Sequence, residues 1–380
     1  MRWEKAILGD VTDSCLGKML DQEKNRGTYQ PYLANLNVRW GSFDLDDLPE
    51  MRFGDDEQER YGLEYGDLVI CEGGEPGRCA LWKNAVPNMK IQKALHRVRT
   101  HACLDNRYLY YWFLLAGKTG ELDQYFTGAT IKHMPGQKLK SVVIDMPPLE
   151  TQRRIADILS AYDDLIENNQ KQIKLLEEAA QRLYREWFVE LRFPGHETTP
   201  VVEGIPEGWK KGNLSDIVVF KRGKVITEKE CVAGSVPVVA GGLEPAYYHD
   251  TANTLAPVIT VSGSGANAGF VRLYNENVFA SDCSFVDSES SRYLYFVYEF
   301  LRNSAGEISA IRKGSAQPHV YAKDINALSL LLPKEAMLNI YVTNVKALFE
   351  KITVLEKTIK AAKETRDRLL PKLMSGEVEV

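Results

Sequence analysis

The sequence predicts an α+β protein in which two repeated, β-rich mixed domains are separated by two long helices that form an antiparallel coiled coil. Three observations lead to this prediction. The chain repeats itself at a spacing of 186 residues, and each copy carries a long heptad-patterned segment. Short β-branched runs that end in glycine occur in the segment before each of these helices. We call each of the two β-rich domains a head.

The internal repeat is clearest around two short stretches, "TGATIKHM" and "KGSAQPHV". A shift of 186 residues places Gly128 on Gly314 and His133 on His319, and the match continues without a gap to Phe188. A fixed period of this length indicates two diverged copies of one unit. Each copy is expected to be a head followed by a helix.

Within each head we expect strands to dominate over helices. The runs "GDLVICEGG" and "APVITVSGSG" are typical of strands that end in glycines, and "CALW" and "FVRLY" are typical of the strands that follow them. The stretches "RYLYYWFLLAG" at Arg107 and "RYLYFVYEFLRN" at Arg292 predict two matching helices. Their aromatic side chains are interpreted as core residues, not as a stacking platform.

The segment from 149 to 193 contains no glycine or proline and carries apolar residues at a spacing of seven. This pattern predicts the seam of a coiled coil, with Asn169 as a polar position in it. The C-terminal segment keeps the pattern, with Arg366 as an interruption, and Pro371 and Gly376 are expected to end its helix. The predicted seam residues are Ile155, Leu159, Tyr162, Ile166, Ile173, Leu176 and Leu183 in the first helix and Tyr341, Val345, Leu348, Ile352, Leu355, Ile359 and Leu369 in the second.

These elements divide the chain into five expected segments. The stretch "RFPGHETTPVVEGIPEG" is rich in Pro, Gly and Thr, as linkers are. The segments are residues 1–148 for the first head, 149–191 for the central helix, 192–208 for the linker, 209–333 for the second head, and 334–380 for the C-terminal helix and tail.

Composition and charge narrow the class of protein. The chain has 380 residues, of which 44% are hydrophobic and 26% charged, as in ordinary globular proteins. It has no apolar run of about 18 residues and no signal-peptide pattern, so we expect a cytoplasmic protein without a membrane contact. The six cysteines lack a C-x-x-C pair and are interpreted as reduced thiols. The net charge of −5 does not favour a nucleic-acid partner, but a local basic surface would suffice for one.

Several catalytic motifs are incomplete. The stretch "SGSGANAGF" follows a predicted strand but precedes another strand, so it does not fit a dinucleotide loop. The stretch "AGKTG" lacks the earlier glycine of a phosphate-binding loop, and "DMPPL" at Asp145 fits the start of a helix. No H-E-x-x-H motif is present. The sequence therefore argues against an enzyme and predicts neither a catalytic residue nor a metal site.

The helices and one loop carry a resemblance to a known family. The stretches "PPLETQRRIADILSAYDDLIENNQKQIKLLEEAAQRLYREWF", "GSAQPHV" and "RDRLLPKLMSGEVEV" resemble the specificity subunit of Type I restriction–modification systems, over nearly the whole chain. The resemblance implies that each head is a target recognition domain that reads one half of a bipartite, double-stranded DNA sequence.

The same resemblance implies the partners. The helices would bind two modification subunits, which carry S-adenosylmethionine and methylate adenine, and restriction subunits would add ATP-driven translocation and cleavage. No cofactor is expected in this chain, with S-adenosylmethionine, ATP and Mg expected in the partner subunits.

Candidate DNA contacts are polar or basic residues in predicted loops. Arg and Lys suit phosphates or guanine, and Asn and Gln suit adenine. For the loop that holds Gln317 and His319 two interpretations are open, namely contact with bases or phosphates and a hinge or packing role. The candidates are Lys24, Arg26, Tyr29, Gln30, Asn35, Asn37, Arg39, Lys90, Gln92, Lys93, Arg97 and Arg99 in the first head and Lys221, Arg222, Lys224, Ser264, Asn267, Ser315, Gln317 and His319 in the second.

Two other classes of function stay open at this point. One is a self-contained DNA methyltransferase or nuclease, against which the missing cofactor motifs speak. The other is a coiled-coil assembly protein without a DNA role, against which the β-rich heads with polar loops speak.

Overall fold

A computed structural model describes residues 3–21, 25–314 and 317–380. Two sequence-predicted DNA contacts, Lys24 and Ser315, lie outside these described residues. The chain divides into two compact units, of which the first is Met1–Glu167 with Ile359–Val380 and the second is Asn168–Thr358. Each unit therefore combines one head with a part of each long helix.

Eleven labelled strands build the first head and four short helices accompany them in the described chain. The strands are β1 (Glu4–Ile7), β2 (Thr12–Leu16), β3 (Thr28–Leu33), β4 (Val38–Arg39), β5 (Ser42–Phe43), β6 (Glu50–Phe53), β7 (Leu68–Cys71), β8 (Cys79–Leu81), β9 (Lys90–Ile91), β10 (Leu95–Thr100) and β11 (Val143–Met146). The helices are α1 (Leu8–Val11), α2 (Gln58–Tyr61), α3 (Asn106–Thr119) and α4 (Gly136–Lys140). The long helix α5 (Leu149–Tyr184) follows, and a π-helical turn at Arg185–Val189 continues it.

The centre of the first head is a four-stranded antiparallel sheet with the strand order β2-β10-β7-β8. Alternate side chains of β7 enter two different hydrophobic clusters, because successive residues of a strand point to opposite faces. Leu68 and Ile70 pack in the cluster that includes α3, whereas Val69 and Cys71 pack with Met89. Both faces of this strand are therefore covered, which explains its unbroken apolar sequence. A second sheet has the order β6-β3-β9, β1 pairs with β11, and β4 pairs with β5.

The second head repeats this architecture after a short hairpin. Its strands are β12 (Val201–Val202), β13 (Ile205–Pro206), β14 (Lys210–Asn213), β15 (Lys221–Arg222), β16 (Val236–Val239), β17 (Tyr247–His249), β18 (Val258–Ser262), β19 (Val271–Tyr274), β20 (Phe279–Ala280), β21 (Cys283–Val286) and β22 (Ser329–Leu332). Its helices are α6 (Leu294–Asn303), α7 (Ala305–Ala310) and α8 (Ala322–Asn326), and the long helix α9 (Glu335–Met374) follows. The sheets have the orders β15-β21-β18-β19, β17-β16-β20 and β14-β22, which correspond strand by strand to those of the first head.

The structure confirms the internal repeat and its spacing. Helices α4 and α8 begin at Gly136 and Ala322, and helices α5 and α9 begin at Leu149 and Glu335. Both pairs of starting residues are 186 positions apart. The predicted aromatic helices are also present as α3 and α6, and their aromatic residues are largely buried in the core.

The two long helices are antiparallel within each unit. In the first unit, Leu159 in the early part of α5 belongs to the same hydrophobic cluster as Leu370 in the late part of α9. In the second unit the opposite ends of the two helices meet, since Tyr184 near the end of α5 contacts Tyr341 near the start of α9.

None of the predicted seam residues is exposed. Their burial falls into two classes. Buried are Ile155, Leu159, Ile166, Tyr341, Val345, Ile352 and Leu355, and half-buried are Tyr162, Ile173, Leu176, Leu183, Leu348, Ile359 and Leu369. Arg366, the interruption of the pattern, pairs with Asp163 of α5 at 2.5 Å, and Tyr111 donates a hydrogen bond to the same carboxylate at 2.6 Å.

One expectation about these helices was wrong. Pro371 does not end α9, which continues through it to Met374. Proline lacks the backbone N–H that would donate to the carbonyl four residues earlier in the helix. Here the loss falls one turn before the helix ends, at an exposed position where water can bind to that carbonyl. The backbone N–H of Ser375 still donates to the Pro371 carbonyl at 3.0 Å, so the last turn stays closed.

Candidate nucleic-acid interface

Strand direction gathers the loops of each head at one end of its four-stranded sheet. In the second head β15 and β18 finish at this end and β19 and β21 begin there, because neighbouring strands are antiparallel. We call this set of loops the loop end of a head. It comprises residues 17–18, 34–37, 72–78, 92–94 and 127–133 in the first head and residues 222–224, 240–243, 263–270, 281–282, 313–314 and 317–319 in the second.

A small closed hairpin belongs to both loop ends. Thr127 and His133 exchange two backbone hydrogen bonds of 2.8 Å, and Lys313 and His319 exchange bonds of 2.9 and 2.8 Å. The glycine after Thr127 and the glycine after Lys313 both have φ +94°, a conformation that glycine adopts without strain. The glycine and the histidine that the two copies share therefore close the same turn.

The hairpin is fastened to the end of a central strand. The backbone N–H of Met134 donates to the Glu72 carbonyl at 2.7 Å, and that of Val320 donates to the Gly263 carbonyl at 3.1 Å. A short helix and a strand separate each hairpin from the long helix that follows. The backbone of each hairpin thus packs on its own head. In the hairpin of the second head, the side chain of Gln317 is exposed.

In the second head, candidate residues meet around one carboxylate, that of Asp282. Ser264 Oγ donates to Asp282 Oδ2 at 2.5 Å, and a guanidinium nitrogen of Arg222 lies 3.8 Å from Oδ1. Asn267 Nδ2 donates to the Gly241 carbonyl at 3.4 Å, and this hydrogen bond connects the loop 263–270 to the loop 240–243. Exposed among the candidates are Lys221, Arg222, Lys224 and Gln317, and half-buried are Ser264, Asn267 and His319.

The structure scatters the candidates of the first head. Asn35, Asn37, Gln92 and Lys93 lie at its loop end, and Arg39 lies on the adjacent strand and donates to the Leu36 carbonyl of that end, whereas the others lie on or beside other strands. Exposed are Arg26, Tyr29, Arg39 and Lys93, half-buried are Gln30, Asn35, Gln92, Arg97 and Arg99, and buried are Asn37 and Lys90.

Two of these candidates are enclosed by the protein. Asn37 is 1% exposed, and its side chain accepts from the Ala34 N–H at 2.9 Å and donates to the Asp44 carbonyl at 3.0 Å. Lys90 is 4% exposed, and burial lowers the pKa of its ammonium group. Both residues serve the interior of the head in this structure.

Arginines on β10 are held by internal acceptors. Arg99 donates two hydrogen bonds of 2.8 Å to the Asp67 carboxylate, and these bonds raise the pKa of the guanidinium. Arg97 donates to the carbonyls of Glu59 at 2.8 Å and Gly62 at 3.1 Å. These contacts fix neighbouring loops of the head.

Sequence reasoning missed one residue that organises the first loop end, Arg78. Arg78 donates to the Asn35 carbonyl at 3.1 Å and to its side-chain oxygen at 2.9 Å, and it also pairs with Glu75 at 3.0 Å. His133, which closes the hairpin described above, was paired with His319 by the repeat but was not among the candidate DNA contacts, whereas Arg78 gave no signal in the sequence.

In the three described stretches of the chain, no group of His, Cys, Asp and Glu residues is arranged to hold a metal ion. No helix in this described part combines the length and the apolar character needed to cross a membrane.

Comparison with known proteins places the repeat in a family. Residues 2–178 and 206–364 both match the family described as the Type I restriction modification DNA specificity domain. The chain is 30% identical over 341 residues to the Type I restriction enzyme MjaIX specificity subunit of Methanocaldococcus jannaschii, covering 83% of this chain and 78% of that one. It is 28% identical over 234 residues to the MjaVIII specificity subunit of the same organism, covering 60% of this chain and 52% of that one.

A solved structure shares the fold over nearly its full length. The crystal structure of the Type I restriction–modification system S subunit from M. genitalium superposes with a TM-score of 0.62 at 18% sequence identity. The superposition covers 98% of this chain and 96% of that one.

Proposed function

The chain belongs to the Type I restriction modification DNA specificity family, and on that premise we propose that each of its heads reads one half of a bipartite, double-stranded DNA target. Members of this family recognise DNA and leave catalysis to other subunits, so the chain is a specificity subunit and not an enzyme. The observation that carries the proposal is the repeated loop end. Two heads with the same strand order display the same five loops with different side chains, as two readers of different half-sites would.

The exposed side chains at the loop ends suit the two tasks of a DNA reader. Lys93 in the first head and Arg222 and Lys224 in the second are exposed cations, which favour phosphate contacts. The amides of Asn267 and Gln317 supply paired donors and acceptors, which suit base edges. The negative net charge of the chain is compatible with this function because phosphate contacts depend on the local surface.

We also propose that the long helices bind two modification subunits that carry S-adenosylmethionine, and that restriction subunits join the complex. The relative that is 30% identical supports this part of the proposal, because it is a specificity subunit of a Type I restriction enzyme and so one part of a larger complex. A DNA target and these partners place the protein in the cytoplasm.

The methylated bases in the DNA of cells that express the chain test the proposal. Cells that also express its modification subunit should acquire methyladenine in both halves of one split sequence, and cells with the modification subunit alone should not. Methylation by this chain alone would instead indicate a self-contained methyltransferase. Unchanged methylation in every strain would contradict the proposed function.

A further inference from the structure

We propose that Asp282 reads the exocyclic amino group of a cytosine or an adenine in the half-site of the second head. The inference rests on the proposed function and adds to it one residue and one chemical group. Asp282 was absent from the sequence candidates, since acidic side chains are not expected on a surface that binds phosphates.

The position of Asp282 is fixed by its neighbours. It lies directly before β21, and its carbonyl accepts from the Gly263 N–H at 3.2 Å. Its side-chain oxygen Oδ2 accepts from Ser264 Oγ at 2.5 Å, which orients the carboxylate. The other oxygen, Oδ1, lies 3.8 Å from Arg222, which is beyond hydrogen-bond distance. Because the side chain is 35% exposed, the carboxylate can accept a further hydrogen bond from a partner.

The chemistry of a carboxylate limits what that partner is. An ionised carboxylate accepts hydrogen bonds and donates none. Phosphate oxygens repel it, whereas the major groove presents two donors that suit it, the N4 amino group of cytosine and the N6 amino group of adenine. The exposed cations Lys221, Arg222 and Lys224 in the adjacent segment favour the phosphate backbone nearby. A carboxylate beside such cations therefore fits base recognition.

Comparison of the heads shows that the first head forms the same sheet order without a carboxylate at this place. In the first head the N–H of Glu72 donates to the Ala94 carbonyl at 2.8 Å, the same hydrogen bond that Gly263 makes to Asp282. Ala94 thus occupies the equivalent position without an acidic group. The hairpin and the sheet order around it are otherwise shared. The carboxylate is specific to the second head, as expected of a side chain that reads a base.

The test uses the complex of the full chain with its modification subunit and selects bound duplexes from randomised DNA. We expect the wild-type complex to select cytosine or adenine at one position of the second half-site. Asp282→Ser should lower that preference by about tenfold, or about 1.4 kcal/mol, with the other half-site unchanged. Asp282→Asn keeps an oxygen for Ser264 and replaces the free acceptor by an N–H₂ donor, so a preference for cytosine should be lost in favour of bases that present an acceptor in the major groove.

Base analogues separate the two sources of the amino group. Single replacement of cytosine by 2-pyrimidinone, or of adenine by purine, removes the amino group at one position of the selected duplex. The wild-type complex should lose about tenfold in affinity at one such position, and the Asp282→Ser complex should bind both duplexes equally. Asp250→Ser, which changes an exposed carboxylate of the same head outside the loop end, is the matched control and should select the wild-type motif.

The outcomes also separate this inference from the function on which it rests. A wild-type motif that both Asp282 variants select unchanged would overturn the role of Asp282 and leave the specificity function intact. A wild-type complex that selects no motif would refute the proposed function itself. If Asp282→Ser does not assemble, Asp282→Asn carries the test, because it preserves the size and shape of the side chain.

Discussion

Glu299 is a carboxylic acid in the hydrophobic core of the second unit. It lies on α6 with 0% exposure, and its Oε2 atom has no hydrogen-bond partner within the described chain. Burial raises the pKa of Glu299 to about 7, against the opposing effect of Arg302, whose guanidinium lies 3.4 Å from Oε1. The nearby carboxylate of Glu177 raises this pKa further. The folded protein therefore keeps Glu299 protonated at pH values where an unfolded chain ionises it.

This shift gives the stability of the protein a pH dependence with a definite sign. Between the ordinary pKa of 4.5 and the folded pKa of about 7, the folded state binds more protons than the unfolded state. The contribution of Glu299 to the free energy of unfolding should therefore fall as the pH rises through this window, by about 3 kcal/mol. Glu299→Gln should remove most of this slope and stabilise the protein at pH 8, as measured by urea unfolding at pH 5 and pH 8. Glu289→Gln, at an exposed site in the same unit, should keep the wild-type slope.

An unchanged slope in Glu299→Gln would show that the acid ionises freely in the folded state.

Single side chains also show where sequence reasoning about the candidate interface stops. Residue type identified exposed amides and cations at the loop ends, such as Lys93 and Gln317, but it could not separate them from Asn37 and Arg99, which are bound inside the head. That difference depends on partners distant in the chain. Asn35, for example, donates to a carbonyl at Gly73, 38 residues away. The antiparallel pairing of strands creates such contacts between distant residues, and a local sequence pattern cannot predict them.

At the scale of elements, the heptad pattern predicted both long helices and their antiparallel contact, because apolar spacing on a helix is a local property. It did not predict the π-helical turn at Arg185–Val189 that follows α5. The turn lies where the consecutive residues Trp187 and Phe188 are both buried among aromatic rings that include Tyr341. Two successive helical residues can both be buried only if tertiary contacts cover them, and the heptad pattern does not predict those contacts.

A charge in the seam of the long helices should destabilise the second unit. Leu355 on α9 is 4% exposed, so Leu355→Asp would bury an unpaired carboxylate at a cost on the order of 3 kcal/mol. We expect a lower melting temperature in calorimetry and weaker binding of the modification subunit. Leu175→Asp is the matched control for the stability measurement, since Leu175 lies on α5 with 64% exposure and should leave stability within about 0.5 kcal/mol of wild type. Equal stability of the two variants would argue against a buried seam at Leu355.

At the scale of the whole molecule, the compact units do not coincide with the continuous segments expected from the sequence. The first unit includes Ile359–Val380 in addition to its head. Trp3 donates a hydrogen bond from its indole to the Met374 carbonyl at 3.0 Å, which fastens β1 to the last turn of α9. The internal repeat indicates the two heads but not this contact, which joins residues 371 positions apart.

The make-up of the units indicates how heads should be exchanged. We expect replacement of residues 12–142 by the matching segment of another family member to change the first half-site alone, because β1, β11 and the contact of Trp3 remain native. Replacement of residues 218–328 is the matched experiment for the second half-site, since it retains β14 and β22. Sequencing of methylated bases gives the readout. A change in both halves from either exchange would contradict independent reading by the two heads.

The divided first unit has a consequence for synthesis on the ribosome. The second unit is one continuous stretch, Asn168–Thr358, so all of its core residues emerge in succession. Ile155 and Leu159 emerge earlier, but Leu370 and Leu373, which complete their hydrophobic cluster, emerge after the whole second unit. The unit that is translated first is therefore finished last. A nascent chain halted in α9 after Thr358 would carry a complete second core beside an open first one, and the exposed apolar residues would mark it for chaperones and proteases.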